Sequence, residues 1–161
     1  MSILAKTKPY TLPVERGDWP QLLADWRTLV PNNFTPWILT RFGELFMRQP
    51  DERIGMLQVS NFRYSVVAEN ATDFAEWLSD KDKMAEWFLA PLVRQLERSG
   101  RILAADQCYS FITPLGLGGE LNEKNVMLIP IHEHFGLWGE VYDQIKDMPD
   151  GGTVVLRIKD R

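Results

Sequence analysis

The sequence predicts an α+β protein, with a mainly antiparallel sheet of about six strands and flanking helices in a single compact domain. Three observations predict it. Helical and extended apolar patterns come in blocks instead of alternating, which excludes a doubly wound βαβ fold. Short turns join several extended runs and make them antiparallel neighbours. No linker, repeat or low-complexity segment divides the 161 residues.

Taken in order, Asp18 and Gln21 stand at capping-box spacing around Pro20, and Leu22, Leu23, Trp26, Leu29 and Val30 follow at helical spacing until Pro31. A second, shorter helix is expected with Thr35 as cap, Pro36 as first residue, Trp37, Ile38 and Phe42 as apolar positions and Gly43 as terminator. The pattern then turns to β-type runs at 45–48, 54–59 and 62–68, separated by short polar turns. Asn70 or Thr72 caps a helix with Phe74, Trp77 and Leu78 on one face. The next helix carries Met84, Trp87, Phe88, Leu92 and Leu96, must kink or split at Pro91, and stops at Gly100. Two extended runs, 107–112 and 125–131, bracket an irregular Gly-rich loop. Residues 132–146 return to helical spacing, although Gly136 and Gly139 each weaken that helix by about 1 kcal/mol relative to Ala. A turn at 149–152 leads into a last strand at 153–159, whose Val154, Leu156 and Ile158 alternate with more polar neighbours.

Composition bounds the function. Apolar residues make up 45% of the chain and charged residues 25%, a globular balance that needs no metal or disulfide to hold a core. Eighteen Lys and Arg stand against 22 Asp and Glu, a formal −4. The deficit is evenly spread, with 8 basic against 10 acidic residues in 1–80 and 10 against 12 in 81–161. Neither half is the basic footprint that dominates nucleic-acid affinity, so direct DNA or RNA binding is not expected and a basic protein partner is favoured. One cysteine, Cys108, forbids an internal disulfide and any multi-cysteine zinc site. With no signal-like or membrane-length apolar run, the expected compartment is the reducing cytoplasm.

Each chemical constellation has a competing packing explanation. Gly116-Leu117-Gly118-Gly119 follows a strand, but no helix start and no Gly-Lys-Ser/Thr follows it, so the loop lacks the context of a phosphate cradle. His132-Glu133-His134 offers metal-ligand residue types, yet residues two apart on a helix face about 200° apart. Cys108 with either histidine would make a thiol nucleophile and base, but no helix N-terminus follows the cysteine to lower its pKa. By alternation Cys108 shares a face with Ser110 and Ile112, and Tyr109 with Gln107 and Phe111; either face serves as the core. Trp26, Trp37, Trp77, Trp87 and Trp138 take core positions, and Trp19 lies at a helix start.

One stretch carries a resemblance. Trp87-Phe88, Leu92, Leu96, Gly100 and Leu103 precede the aromatic strand Gln107-Cys108-Tyr109-Ser110-Phe111. Pro114, Leu117-Gly118-Gly119-Glu120 and Asn125 follow, and His134 stands before an amphipathic helix. The pattern resembles a bacterial family, long catalogued as a domain of unknown function, that is typified by immunity proteins protecting bacteria from DNase effectors of the type VI secretion system. It covers residues 84–148 best and divides the chain into a diverged N-terminal region, 1–82, and a family-like region, 83–161. The resemblance implies a non-catalytic protein that needs no cofactor and binds a cognate protein toxin, a basic nuclease being the partner that suits an acidic chain. Tyr109, Gly118, Gly119, Glu120, Asn125 and His134 match its motif positions. The rival reading is a small-molecule enzyme or regulator with a pocket formed by the Gly-rich loop, Tyr109, His132 and His134.

Overall fold

A computed structural model describes residues 3–148 of the chain. The expected turn at 149–152 and strand at 153–159 lie outside the described residues. Five strands, β1 (Thr11–Leu12), β2 (Thr35–Thr40), β3 (Leu45–Arg48), β4 (Ile54–Gln58) and β5 (Arg63–Ala68), form an antiparallel meander in chain order. Two more, β6 (Gln107–Phe111) and β7 (Val126–Pro130), form a separate antiparallel hairpin. The expected sheet of about six strands is therefore two sheets, joined where the Tyr109 N–H donates to the Arg41 carbonyl at 2.7 Å. Among the described residues six α-helices accompany them: α1 (Ile3–Thr7), α2 (Trp19–Leu22), α3 (Ala71–Trp77), α4 (Lys81–Phe88), α5 (Ala90–Arg98) and α6 (Ile131–Ile145).

The five-stranded sheet is covered on both faces, which explains why its central strands read as continuous apolar runs. Leu39, Leu45, Met47 and Leu57 pack on one side with Trp19, Trp26 and the Phe135, Trp138 and Val141 stripe of α6. Ile38, Phe46, Ile54 and Met56 pack on the other with Phe74 of α3, Leu78 just beyond its end, and Trp87 and Phe88 of α4. Period-two alternation thus sorts neighbouring residues into two different cores. A third cluster, with Phe42, Val93, Leu96, Tyr109 and Phe111, lies between α5 and the β6–β7 hairpin.

The structure overturns three readings of local sequence. The segment expected as a helix from Thr35 to Gly43 is strand β2 followed by a turn. Ile38 and Leu39 face opposite cores while Trp37, at the bulge, packs on the same side as Ile38, and Pro36 is tolerated because it lies at that bulge and beyond the reach of β1, which pairs only with Leu39 and Thr40. The helix expected over 20–30 breaks after one turn into a 3-10 turn at Ala24–Trp26. Its buried face is as spaced, with Leu23, Trp26 and Val30 inside, but Asp18 supplies no capping hydrogen bond. Trp77, expected in the core, is 43% exposed at the end of α3, with the Lys83 ammonium 5.3 Å from its ring. The Asn70 cap is as expected, its side chain accepting from the Asp73 N–H at 2.8 Å. At Pro91 the helix splits instead of kinking. Leu89 takes a left-handed conformation between α4 and α5, so the proline falls in the first turn of a new helix, where its missing N–H costs nothing.

Candidate functional site

The start of α6 presents two different chemical settings on its two sides. On the inner side His134 is 2% exposed and Ser110 is fully buried. The Trp138 indole N–H donates to Ser110 Oγ at 2.8 Å, Ser110 Oγ lies 2.8 Å from His134 Nδ1, and His134 Nε2 lies 3.0 Å from the Gly43 carbonyl. A carbonyl only accepts, so Nε2 carries the proton, Nδ1 accepts, and the serine hydroxyl donates to it while accepting from the indole. Burial holds the imidazole at a pKa of about 4, in spite of the Gly43 carbonyl pulling the other way. Gly43 makes this closeness possible. It sits at φ +70°, and a Cβ there would lie 2.2 Å from His134 Nε2.

Next to it in sequence Glu44 is 3% exposed, a carboxyl embedded in an apolar run. It accepts from the Ser60 N–H at 3.1 Å and the Ser60 hydroxyl at 3.3 Å, and its own N–H donates to Thr40 Oγ1 at 3.1 Å. Burial pushes its pKa up to about 8, against the opposing pull of hydrogen bonds from Ser60 and Val59. Sequence reasoning missed Glu44; the available signal was a lone carboxyl between Phe42 and the apolar Leu45-Phe46-Met47. Cys108 is also fully buried, and burial raises its thiol pKa, with the Glu44 charge adding to the effect. Both faces of β6 are enclosed from Cys108 to Phe111, so neither is a solvent face.

The remaining motif positions build the loop between β6 and β7. Asn125 pins it, its Oδ1 accepting from the Thr113 N–H and its Nδ2 donating to the carbonyls of Thr113 and Glu120, all at 2.8–2.9 Å. Gly119 lies where a Cβ would stand 1.8 Å from the Thr113 carbonyl oxygen, so only glycine lets the two chain segments pass. Gly118 takes φ +90°. The Tyr109 hydroxyl donates to the Arg101 carbonyl at 2.6 Å, and the Arg101 guanidinium donates in turn to the Glu123 and Val126 carbonyls. Glu120 is exposed, as is Gly118, and accepts from the Asn122 amide at 2.7 Å.

On the outer side of α6, His132 is exposed and lines a cleft of about 700 Å³. Trp19, Leu22 and Ile131 give the cleft its apolar lining, and Asp18, Asp25 and Asp106 its carboxylates. Trp19 is fixed by its indole N–H, which donates to the Val14 carbonyl at 2.8 Å, and by an edge-to-face contact with Phe135 at 5.5 Å. No sequence signal pointed to this cleft, because residues far apart in the chain assemble it.

These positions correct the rival small-molecule reading. His134 is sealed in the core, His132 faces the cleft, Tyr109 belongs to the third cluster, and Gly116 packs against Asn61 and Phe62. The four do not converge on one pocket, and among the described residues no group of three or more His, Cys, Asp or Glu side chains could hold a metal ion.

No curated protein matches the chain. Residues 68–141 match the family model described as T6SS immunity protein Tdi1, C-terminal. Across that segment, from the end of β5 into α6, the chain is similar to the C-terminal region of an immunity protein family of the type VI secretion system.

Proposed function

We propose that the chain neutralises a type VI secretion effector by binding it directly, as a non-catalytic partner. The match of residues 68–141 to the immunity family carries the reading. Two features of the site support the absence of catalysis. Ser110 and His134 have the residue types of a nucleophile and base, but the pair is buried, both imidazole nitrogens are engaged, and the serine hydroxyl is held between the imidazole and an indole. Burial also keeps the Cys108 thiol protonated. An effector with a basic surface, such as a nuclease, suits the chain's formal charge of −4, and opposite charges would speed the encounter at low salt. Among the described residues no helix is long and apolar enough to cross a membrane. A cytoplasmic site of action, where the chain would meet an arriving nuclease, completes the proposal.

The test is co-expression with the effector encoded beside it. Cells producing both should grow as cells producing neither, and the two proteins should co-purify. Death at the rate of unprotected cells, with no complex recovered, overturns the reading.

A further inference from the structure

The cleft beside His132 has the makings of a recognition site. Its volume of about 700 Å³ falls within the range of roughly 300–1,000 Å³ typical of ligand pockets, room for a loop tip and not just a single ion. Among the described residues three carboxylates line it, and Arg16 is the one Lys or Arg that does. Asp18 stands at the cap position of α2 without making a capping hydrogen bond. None of the three aspartates enters an ion pair among the described residues. Among the described residues no group of acidic, histidine or cysteine side chains could hold a metal ion either. The cleft therefore offers unspent negative charge together with the apolar surfaces of Trp19, Leu22 and Ile131. An arginine or lysine has the matching chemistry, an aliphatic stem that lies along apolar surface and a charged end. One wall, with Asp106 and Ile131, belongs to the segment matched to the family, and the other, with Asp18, Trp19 and Asp25, lies outside it.

We propose that this cleft is where a cationic segment of the effector docks, an arginine- or lysine-bearing loop whose stem lies against Trp19, Leu22 and Ile131 and whose charge faces Asp18, Asp25 and Asp106. The inference rests on the immunity reading. The wall outside the matched segment sets which loop fits, so partner choice resides in residues 13–25 while the family segment supplies the frame.

The experiment compares the full chain with two triple variants, D18N/D25N/D106N in the cleft and E76Q/D82N/D147N outside it, each losing three charges. Unchanged melting temperatures establish that both fold. In calorimetric titrations with the neighbouring effector, the cleft variant should bind at least about tenfold more weakly and with a shallower salt dependence, while the control stays within about twofold. A cleft variant that binds as tightly as the wild type, in cells the wild type protects, overturns the cleft and leaves the immunity reading standing. A wild type that neither protects nor binds overturns both. In a separate NMR titration, N-acetyl-arginine amide should shift the Trp19 indole and Ile131 amide signals more than N-acetyl-aspartate amide does. The reverse order would mean that the cleft selects anions, and would also overturn the proposal.

Discussion

His132 and His134 stand two residues apart on α6 and face about 200° apart, and the molecule uses the two sides of that turn in opposite ways. His134 is locked in a dry hydrogen-bonded chain from Trp138 through Ser110 to the Gly43 carbonyl, which ties α6 and the β6–β7 hairpin to the turn between β2 and β3. His132 lines an open, acid-lined cleft. The same residue type, in the same short motif, therefore serves a joint on one side and a recognition wall on the other. What distinguishes them is whether each polar atom already has a protein partner. Four of the six positions on which the sequence resemblance rests, Tyr109, Gly119, Asn125 and His134, are committed to hydrogen bonds or close chain contacts inside the fold.

The contrast can be broken most forcefully at the joint. His134→Ala removes a buried ring, leaves the Gly43 carbonyl and the Ser110 hydroxyl without their partner, and opens a cavity. The expected loss is about 3–5 kcal/mol of stability, read from urea unfolding at neutral pH. A loss below about 1 kcal/mol would mean that the hydrogen-bonded chain is dispensable and that the sealed side is no joint.

A second test uses pH. The folded protein holds the Glu44 proton up to about pH 8, whereas an ordinary glutamate releases it near 4.5. The folded state binds more protons between those values, so stability falls as pH rises through that window. His134 acts in the other direction. Its folded pKa of about 4 lies below the ordinary 6.5, so the unfolded chain takes up the proton first and stability is lost as pH falls from 6.5 to 4. The two buried groups confine the optimum to roughly pH 5–6.5. Glu44→Gln keeps the side-chain shape and its contacts with Ser60 but has no proton to release. Its advantage over the wild type should grow by about 3–4 kcal/mol between pH 5 and pH 8, measured as the difference in urea midpoints. A constant difference across that range would show that the carboxyl does not titrate with folding.

Asn125→Ala tests the motif loop, where the effect should be smaller because the residue is only partly buried. It removes three hydrogen bonds to the backbone of Thr113 and Glu120, with water able to replace some of them. The expected cost is about 1–2 kcal/mol, together with faster amide exchange at Thr113, whose N–H loses its acceptor.

How much of this was legible in the sequence differs by the kind of signal. Strands β3 to β7 and helices α3 to α6 could be read because their apolar spacing and end signals agree. Strand β2 could not, since Thr35-Pro36 and Gly43 imitate a helix start and stop, and a strand buried on both faces loses the alternation that would have betrayed it. Trp77 satisfied helical spacing but sits at the last residue of a seven-residue helix, past the edge of the sheet core that covers Phe74. The motif residues were legible as a set, and the structure gives most of them a structural task. The cleft was invisible because Asp18, Asp25 and Asp106 come together only once 13–25 packs beside the start of α6.

The smallest expected effect is the most discriminating for the opening contrast. His132→Ala sits two residues from His134, where the largest of these losses is expected, on the same helix, and replaces the same side chain. If sensitivity followed the motif or the helix, it would cost several kcal/mol as well. If it follows burial and hydrogen bonding, the loss stays within about 0.5 kcal/mol, as for exposed positions generally. Among the described residues the two histidines share no hydrogen-bonding partner, so the double variant His132→Ala/His134→Ala should unfold with the sum of the two losses to within about 0.5 kcal/mol. A coupling larger than that would mean that the sealed joint and the open cleft communicate through the first turn of α6, so that a partner seated on one side would tighten or loosen the other.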